Sequence, residues 1–190
     1  NKKVFLHNTN MSFLVYIYYR LMSVFRFKQF AMSQDRCAMK IGTDGVLLGA
    51  WAFCKQASQI LDIGTGTGLI ALMLAQRNPV AHIDALEINI EAAEQANENM
   101  QASPWANRLT VFPTSLQTFA SENKEKKYDL IVFDVFKGEN PPAYLLSKEN
   151  FEHLNSLIKL NGIIAINFNG FLNGKIGKSG RSIIKTILNN

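Results

Sequence analysis

Short apolar runs alternate with stretches of helical periodicity along most of this chain. Ile60–Ile63 is apolar apart from Asp62, and from Leu69 onward the apolar positions recur with the 3.6-residue period of a helix. The same alternation continues towards the carboxyl end and predicts strands near 60–63, 81–87, 108–112, 128–133 and 163–167, with helices near 69–76, 91–101 and 150–160. Strands that alternate with helices indicate an α/β fold with a doubly wound, mostly parallel sheet.

One further helix is predicted ahead of the first of these strands. Thr43 and Asp44 are residue types that cap helix N-termini, so we expect the helix to begin there. Its apolar positions share one face: Val46, Leu47, Ala50 and Trp51. We expect this helix to pack beside the loop that follows the first strand.

The two ends of the chain fit this pattern less well. Residues 1–21 combine a lysine pair and a polar stretch with an aromatic run at 13–19, and Met22 follows them as a plausible start. We therefore expect residues 1–21 to be an extension and residues 22–190 to form the domain. Beyond 167 a glycine- and asparagine-rich loop and one short helix are predicted, so we expect the sheet to lack its last strands.

Composition narrows the class of protein. At 190 residues, 47% hydrophobic and 18% charged, the chain is long enough for one globular domain, and its composition does not favour disorder. The net charge of +5 permits a polyanionic partner. The apolar run at 13–19 is too short to span a membrane. Cys37 and Cys54 show no metal-ligand spacing with the histidines, so we expect reduced cysteines, no metal and a cytoplasmic location.

Three glycines at alternate positions join the first strand to the helix that follows. The stretch reads Asp62-x-Gly64-x-Gly66-x-Gly68, and glycine lets a loop adopt positive φ and bring its backbone against a ligand. Glu87 ends the second predicted strand, where a carboxylate can accept hydrogen bonds from ribose hydroxyls. An acid that precedes the loop suits a ligand with a cationic amino group, whereas a nicotinamide site or another glycine-rich turn is the alternative.

This set of residues resembles the S-adenosylmethionine site of class I methyltransferases, whose fold is Rossmann-like. The resemblance implies that S-adenosylmethionine is the cofactor and that it is held by Asp62, Gly64, Thr65, Gly66, Gly68, Glu87 and Ile88. An acidic residue commonly follows the third strand in that class and binds the adenine amino group. Here Ser115 occupies this place, and a hydroxyl is a weaker acceptor.

The segment from Phe25 to Trp51 makes the resemblance more specific. Its stretch from Asp35 to Trp51, together with the glycine loop, is similar to the bacterial tRNA adenine-N6 methyltransferases, and the similarity extends to about Val132. In that family the segment lies over the cofactor, which implies that Lys40, Thr43 and Asp44 line the pocket. The implied reaction transfers a methyl group to an adenine N6 of tRNA.

The chain departs from that family after the fourth strand. Amine methyltransferases place Asn or Asp, two prolines and an aromatic ring there, whereas this chain reads Asp134-Val135-Phe136-Lys137. Asp134 can still accept a hydrogen bond from an amine and Phe136 can stack on a base, so these two are the candidate catalytic residues. From Asp134 to Asn167 the pattern also resembles spermidine-synthase-like proteins.

Three functions therefore stay open from the sequence alone. The first is S-adenosylmethionine-dependent methylation of tRNA, with tRNA as partner and no membrane or metal involved. The second is aminopropyl transfer, for which one expects an acid-lined amine pocket. The third is a non-catalytic protein that binds the cofactor or RNA, which the missing prolines and Ser115 favour.

Overall fold

A computed structural model of the chain describes residues 23–135 and 147–167. Its centre is a five-stranded, fully parallel sheet in the order β5-β4-β3-β6-β7. The strands are β3 (Gln59–Ile63), β4 (His82–Leu86), β5 (Leu109–Phe112), β6 (Tyr128–Phe133) and β7 (Ile158–Ile166). The order reverses direction between β3 and β6, and ligands of open α/β sheets bind at the carboxyl ends of the strands at such a point.

Helices cover both faces of this sheet and create two apolar cores. They are α1 (Thr43–Trp51), α2 (Leu69–Arg77), α3 (Ile90–Gln101), α4 (Leu116–Glu122) and α5 (Lys148–Leu157), with a 3-10 turn at Ala106–Arg108. One core joins α1, α2 and α3 to the sheet and the other joins α4 and α5 to its opposite face. The predicted α/β doubly wound fold is confirmed.

A short antiparallel hairpin precedes α1. It consists of β1 (Val24–Arg26) and β2 (Ala31–Ser33), and Phe27 stacks on Phe30 with ring centroids 4.5 Å apart. Residues 34–42, which we call the strap, lead from the hairpin to α1. Two buried amides of α3 hold the start of this segment, because Asn99 exchanges hydrogen bonds with the backbone of Ser33 and Gln95 accepts from the backbone N–H of Arg36.

Two local predictions were wrong. Thr43 does not cap α1, since the N-cap is Gly42 and no side chain caps that end. The helix predicted near 150–160 and the strand predicted near 163–167 imply a connection at Asn161 and Gly162, but these two residues lie inside β7, where Asn161 adopts a φ of 69°. The register between β6 and β7 shifts at this point, so the extra residues are accommodated as an irregularity in the strand.

The apolar face predicted for α1 is only partly buried. Leu48 and Gly49 pack towards α2, whereas Leu47 is 60% exposed and Trp51 81% exposed. The helix therefore packs as predicted, but through Leu48 and Gly49. Of the predicted face only Val46 is partly buried, whereas Leu47, Ala50 and Trp51 are exposed. Residues 1–22 and 168–190, including the predicted extension and the end of the sheet, lie outside the described residues.

None of the helices within residues 23–135 and 147–167 has the length and apolar character of a membrane span.

Candidate functional site

A cavity of about 650 Å³ opens at the carboxyl ends of β3, β4 and β6. The glycine loop forms its floor, the strap and the first turn of α1 form one wall, and residues 114–117 form another. Its volume is in the range of small-molecule and cofactor sites. Of the residues predicted from the sequence, those that line it are Lys40, Asp44, Gly64, Thr65, Gly66, Glu87, Ile88, Ser115 and Asp134.

The three loop glycines all have positive φ but serve different purposes. A Cβ at Gly64, where φ is 80°, would lie 2.7 Å from the carbonyl oxygen of Asp134. Gly66 faces the cavity, and the Sγ of Cys37 lies 3.4 Å from its Cβ position. Gly68 is not among the lining residues and packs against α3 instead, with Met100 3.1 Å from its Cβ position. Gly68 therefore supports the loop from below rather than reaching the cavity.

Glu87 holds the glycine loop from the end of β4. Its Oε2 accepts from the backbone N–H of Gly66 at 3.0 Å, and its Oε1 accepts from the N–H of Asn89 at 2.9 Å. Each carboxylate oxygen has a further lone pair, so the side chain can still accept from a ligand. The carboxylate thus fixes the loop and presents acceptors to the cavity at the same time.

Asp62 lies fully buried beneath the loop and does not line the cavity. Its Oδ2 accepts from the Thr65 hydroxyl at 2.7 Å, while Oδ1 is buried without a hydrogen-bond partner in the described part of the chain. Desolvation, with added repulsion from Asp134 and Glu87, raises the pKa of Asp62 to about 7. A nearby cation would favour its charged form, so this orphaned oxygen fits a cationic ligand above it.

Asp134 is positioned by the end of the neighbouring strand. Its Oδ1 accepts from the Nδ2 of Asn167 at 2.9 Å, and its backbone N–H donates to Ile63. Its Oδ2 lies 3.8 Å from the Cβ position of Gly45 in the first turn of α1. Burial raises the pKa of Asp134, and the charge of Asp44 adds to this, whereas the Asn167 amide lowers it.

The strap brings further side chains to the cavity. Cys37, Met39 and Lys40 line it, and the Nζ of Lys40 donates to the carbonyl oxygen of Gln34. Burial raises the pKa of the Cys37 thiol, so this side chain is a packing contact on Gly66. Both Cys37 and Cys54 are free thiols, as predicted.

Two predicted ligand residues have mainly structural contacts. Ser115 caps α4, because its Oγ accepts from the backbone N–H of Thr118, and it borders the cavity only as part of that turn. Thr43 is exposed at the start of α1 and is not among the lining residues. Phe136, the second catalytic candidate, lies outside the described residues.

Asn167 is the functional candidate that the sequence did not reveal. It follows β7 and lines the cavity beside Asp134. Its only signal in the sequence is an amide side chain at the end of a predicted strand. In the ranges 23–135 and 147–167, no group of three or more His, Cys, Asp or Glu residues could hold a metal ion.

Sequence comparison identifies relatives over most of the chain. The family described as Methyltransferase small domain matches residues 42–172. A protein of Histophilus somni (strain 129Pt) named tRNA1(Val) (adenine(37)-N6)-methyltransferase is 47% identical over 147 residues, which are 72% of this chain and 62% of that protein. A protein of the same name from Flavobacterium johnsoniae is 56% identical over 122 residues, which are 64% of this chain and 49% of that protein. The chain thus spans about half to three fifths of the curated relatives' length.

Structure comparison agrees on the fold. A candidate caffeoyl-CoA O-methyltransferase from Staphylococcus aureus has a TM-score of 0.58 at 17% identity, covering 96% of this chain and 87% of its own. A S-adenosylmethionine-dependent methyltransferase from Thiobacillus denitrificans, solved with S-adenosyl-L-homocysteine, has a TM-score of 0.52 at 18% identity, covering 66% of this chain and 48% of its own. The family match runs through residues 134–167, so the resemblance to spermidine-synthase-like proteins gains no support.

Proposed function

The chain belongs to the Methyltransferase small domain family, and from that premise we propose that it transfers the methyl group of S-adenosylmethionine to the N6 amine of an adenine in cytoplasmic tRNA. The observation that carries the proposal is the meeting of Glu87, the glycine loop and Asp134 around one cavity.

The residues present fit the cofactor. Gly64 and Gly66 leave backbone where a Cβ would intrude, and Glu87 supplies acceptors for a pair of hydroxyls. The orphaned Oδ1 of Asp62 lies beneath this loop and would gain from a positive charge nearby. When bound, S-adenosylmethionine supplies an electrophilic methyl group and the positive charge of its sulfonium.

Asp134 is the proposed contact for the amine. A carboxylate at the rim can accept a hydrogen bond from an amino N–H, which orients the nitrogen and holds the proton that must leave. Its raised pKa brings it closer to the range in which a general base works, and Asn167 keeps one of its oxygens occupied. Oδ2 is then the oxygen left to the substrate, and we propose that Phe136 stacks on the base.

The proposal that the substrate is an adenine of tRNA is supported by the named relatives. Two independent relatives at 47% and 56% identity carry the name of a tRNA adenine-N6 methyltransferase. Their matches include 122 residues or more of this chain. The net charge of +5 is compatible with a polyanionic substrate.

The test is a transfer assay with labelled S-adenosylmethionine and an unmodified bacterial valine tRNA transcript. We expect label in the tRNA, weak because two prolines are missing after β6, and we expect it to rise when Asp134 to Lys137 is rebuilt as Asn-Pro-Pro-Tyr. A positional error of about 1 Å at the reacting atoms costs on the order of a hundredfold in rate. Absence of label from both proteins, with cofactor bound, would contradict the proposed reaction.

A further inference from the structure

The cavity wall formed by residues 114–117 has no carboxylate. Among the described residues, three acids line the cavity, and all of them lie outside this wall: Asp44, Glu87 and Asp134. The Ser115 hydroxyl accepts from the backbone N–H of Thr118 and lies 3.0 Å from the Thr118 hydroxyl, so α4 already engages it. A ligand that donates hydrogen bonds at this wall therefore needs another acceptor.

Gln117 supplies such an acceptor. It is half-buried and lines the cavity from the first turn of α4. Its Nε2 donates to Oδ1 of Asn150 at 2.6 Å, and Asn150 is buried in the first turn of α5. Within the described residues no donor binds the Oε1 of Gln117. Because Asn150 holds the donor half of the amide, the plane of the amide is fixed and Oε1 is left to accept from a ligand.

The strand order indicates which part of the cofactor reaches this wall. Asp134 follows β6, the glycine loop follows β3, Glu87 follows β4 and the wall follows β5, and these strands are neighbours in that order. In S-adenosylmethionine the ribose lies between the sulfonium and the adenine. With the methyl group at Asp134 and the ribose at Glu87, the adenine extends towards β5. Ile88 and Leu116 also line the cavity and offer apolar surface to a flat ring.

We propose that Gln117 recognises the adenine of the cofactor, with Oε1 accepting a hydrogen bond from the 6-amino group, and that Asn150 is the residue that positions the Gln117 amide. A site built around a hydrogen bond rejects a ligand that lacks the partner, since a polar group is then left unpaired. The inference rests on the proposed function, from which it takes the orientation of the cofactor, and it adds the residue that distinguishes an aminopurine from other purines.

Calorimetry with two ligands tests this hydrogen bond without a transfer reaction. The ligands are S-adenosyl-L-homocysteine and its analogue whose purine carries hydrogen in place of the 6-amino group. We expect the unaltered chain to bind the amino ligand about three- to tenfold more tightly, the range of one neutral hydrogen bond. Gln117→Met, which keeps the length of the side chain but removes the amide, should bind both ligands equally. Because the ratio of the two Kd values is compared between proteins, a general change in pocket shape cancels.

Further variants separate recognition from structure. Gln117→Glu keeps an acceptor and should retain the preference for the amino ligand. Asn150→Leu should reduce the preference, whereas Asn150→Asp, which keeps an acceptor for Nε2, should retain it. A merely structural role of Asn150 would lower the unfolding midpoint without changing the ratio of the two Kd values, and would refute positioning.

Gln101→Met is the matched control. Gln101 is an exposed glutamine at the end of α3, outside the lining residues. The same substitution at this position should leave both Kd values unchanged.

The remaining outcomes distinguish the inference from the proposed function. A preference for the amino ligand that survives in Gln117→Met would overturn the inference, and so would a preference that Ser115→Ala abolishes while Gln117 is intact. Equal affinity of the unaltered chain for both ligands would also overturn it, while the proposed methyl transfer would stand. If neither ligand bound, the proposed function and the inference would fail together. A preference that depends on Gln117, in a protein that transfers no label to tRNA, would support the inference and contradict only the proposed reaction.

Discussion

Asn167 donates a hydrogen bond from its Nδ2 to Oδ1 of Asp134, with the two atoms 2.9 Å apart. The two residues follow neighbouring parallel strands, β7 and β6, so their side chains meet at the edge of the cavity. Because the Asn167 amide binds Oδ1, it fixes the plane of the Asp134 carboxylate and so the direction of Oδ2. The pair therefore separates a structural oxygen from one that is available to a substrate.

Replacing Asn167 with leucine should lower kcat about ten- to hundredfold, since hydrogen bonds to charged groups contribute about 1.5–3 kcal/mol. The affinity for S-adenosylmethionine should not change. Loss of the donor also raises the pKa of Asp134 further, so the rising limb of the kcat–pH profile should move to higher pH. Asn167→Ser, which retains a donor, should restore part of the rate; equal losses in both variants would argue against a positioning role.

Gly64→Ala should unfold at lower urea concentration than the unaltered chain. The added methyl group would lie 2.7 Å from the carbonyl oxygen of Asp134 at a backbone φ of 80°. Strain and overpacking together should cost about 2–4 kcal/mol in the free energy of unfolding. Gly42→Ala is the comparison, because the nearest neighbour of the added Cβ is 4.0 Å away. It should cost no more than about 1 kcal/mol, since Gly42 is the N-cap of α1 and alanine is a poorer N-cap than glycine.

Glu87→Ala should weaken S-adenosylmethionine binding by about 2 kcal/mol or more, as measured by calorimetry. The variant loses acceptors in the cavity and also the contact that holds Gly66. Glu91→Ala removes an acid from the first turn of α3, outside the lining residues, and should bind normally. Equal affinities of the Glu87 variant and the unaltered chain would contradict the assignment of Glu87 as a ligand of the cofactor.

Asp62 should make the ligand-free protein less stable as the pH rises. Its folded pKa of about 7 lies above the ordinary value of 3.8, so between these values the folded state holds a proton that the unfolded state has lost. Stability should therefore fall across this window, by on the order of 4 kcal/mol if the shift is fully expressed. Asp62→Asn should flatten that part of the stability–pH curve in urea titrations, and an unchanged slope would contradict this assignment.

Binding of a cation in the cavity should lower the raised pKa of Asp62. A positive charge lowers the pKa of the carboxyl group, so the side chain would release its proton. Calorimetry of S-adenosylmethionine binding at pH 6.5, repeated in buffers of different ionisation enthalpy, should show proton release. The Asp62→Asn variant should release less.

The sequence predicted the parts of the fold that depend on periodicity and glycine. β6 agrees with its predicted bounds at both ends, and α2 begins at Leu69 as the apolar period indicated. The glycine loop could be predicted because positive φ and a close approach of the backbone both require glycine, which is visible in the sequence. These features are local: the residues whose pattern predicts a strand, helix or loop are the residues that form it.

The sequence could not reveal contacts between distant segments. Asn167 and Asp134 are 33 positions apart in the sequence, and no pattern in the sequence near either residue predicts their hydrogen bond. The position of Ser115 after β5 predicts a ligand contact, whereas in the structure its hydroxyl caps α4. The exposure of Trp51 is likewise a tertiary property. The helical period predicts which residues share a face of α1, but it does not predict whether another part of the fold covers that face.

The strap sets a lower limit on how far this protein can be trimmed. The family match begins at residue 42, yet Cys37, Met39 and Lys40 contribute a wall of the cavity from in front of that boundary. A fragment that starts at Gly42 would lose this wall and leave the buried amides of Gln95 and Asn99 without the partners they have in β2 and the strap. A unit for expression, crystallisation or domain grafting should therefore include the hairpin, and a cut at the family boundary should lower the stability of the fold and open one wall of the cavity.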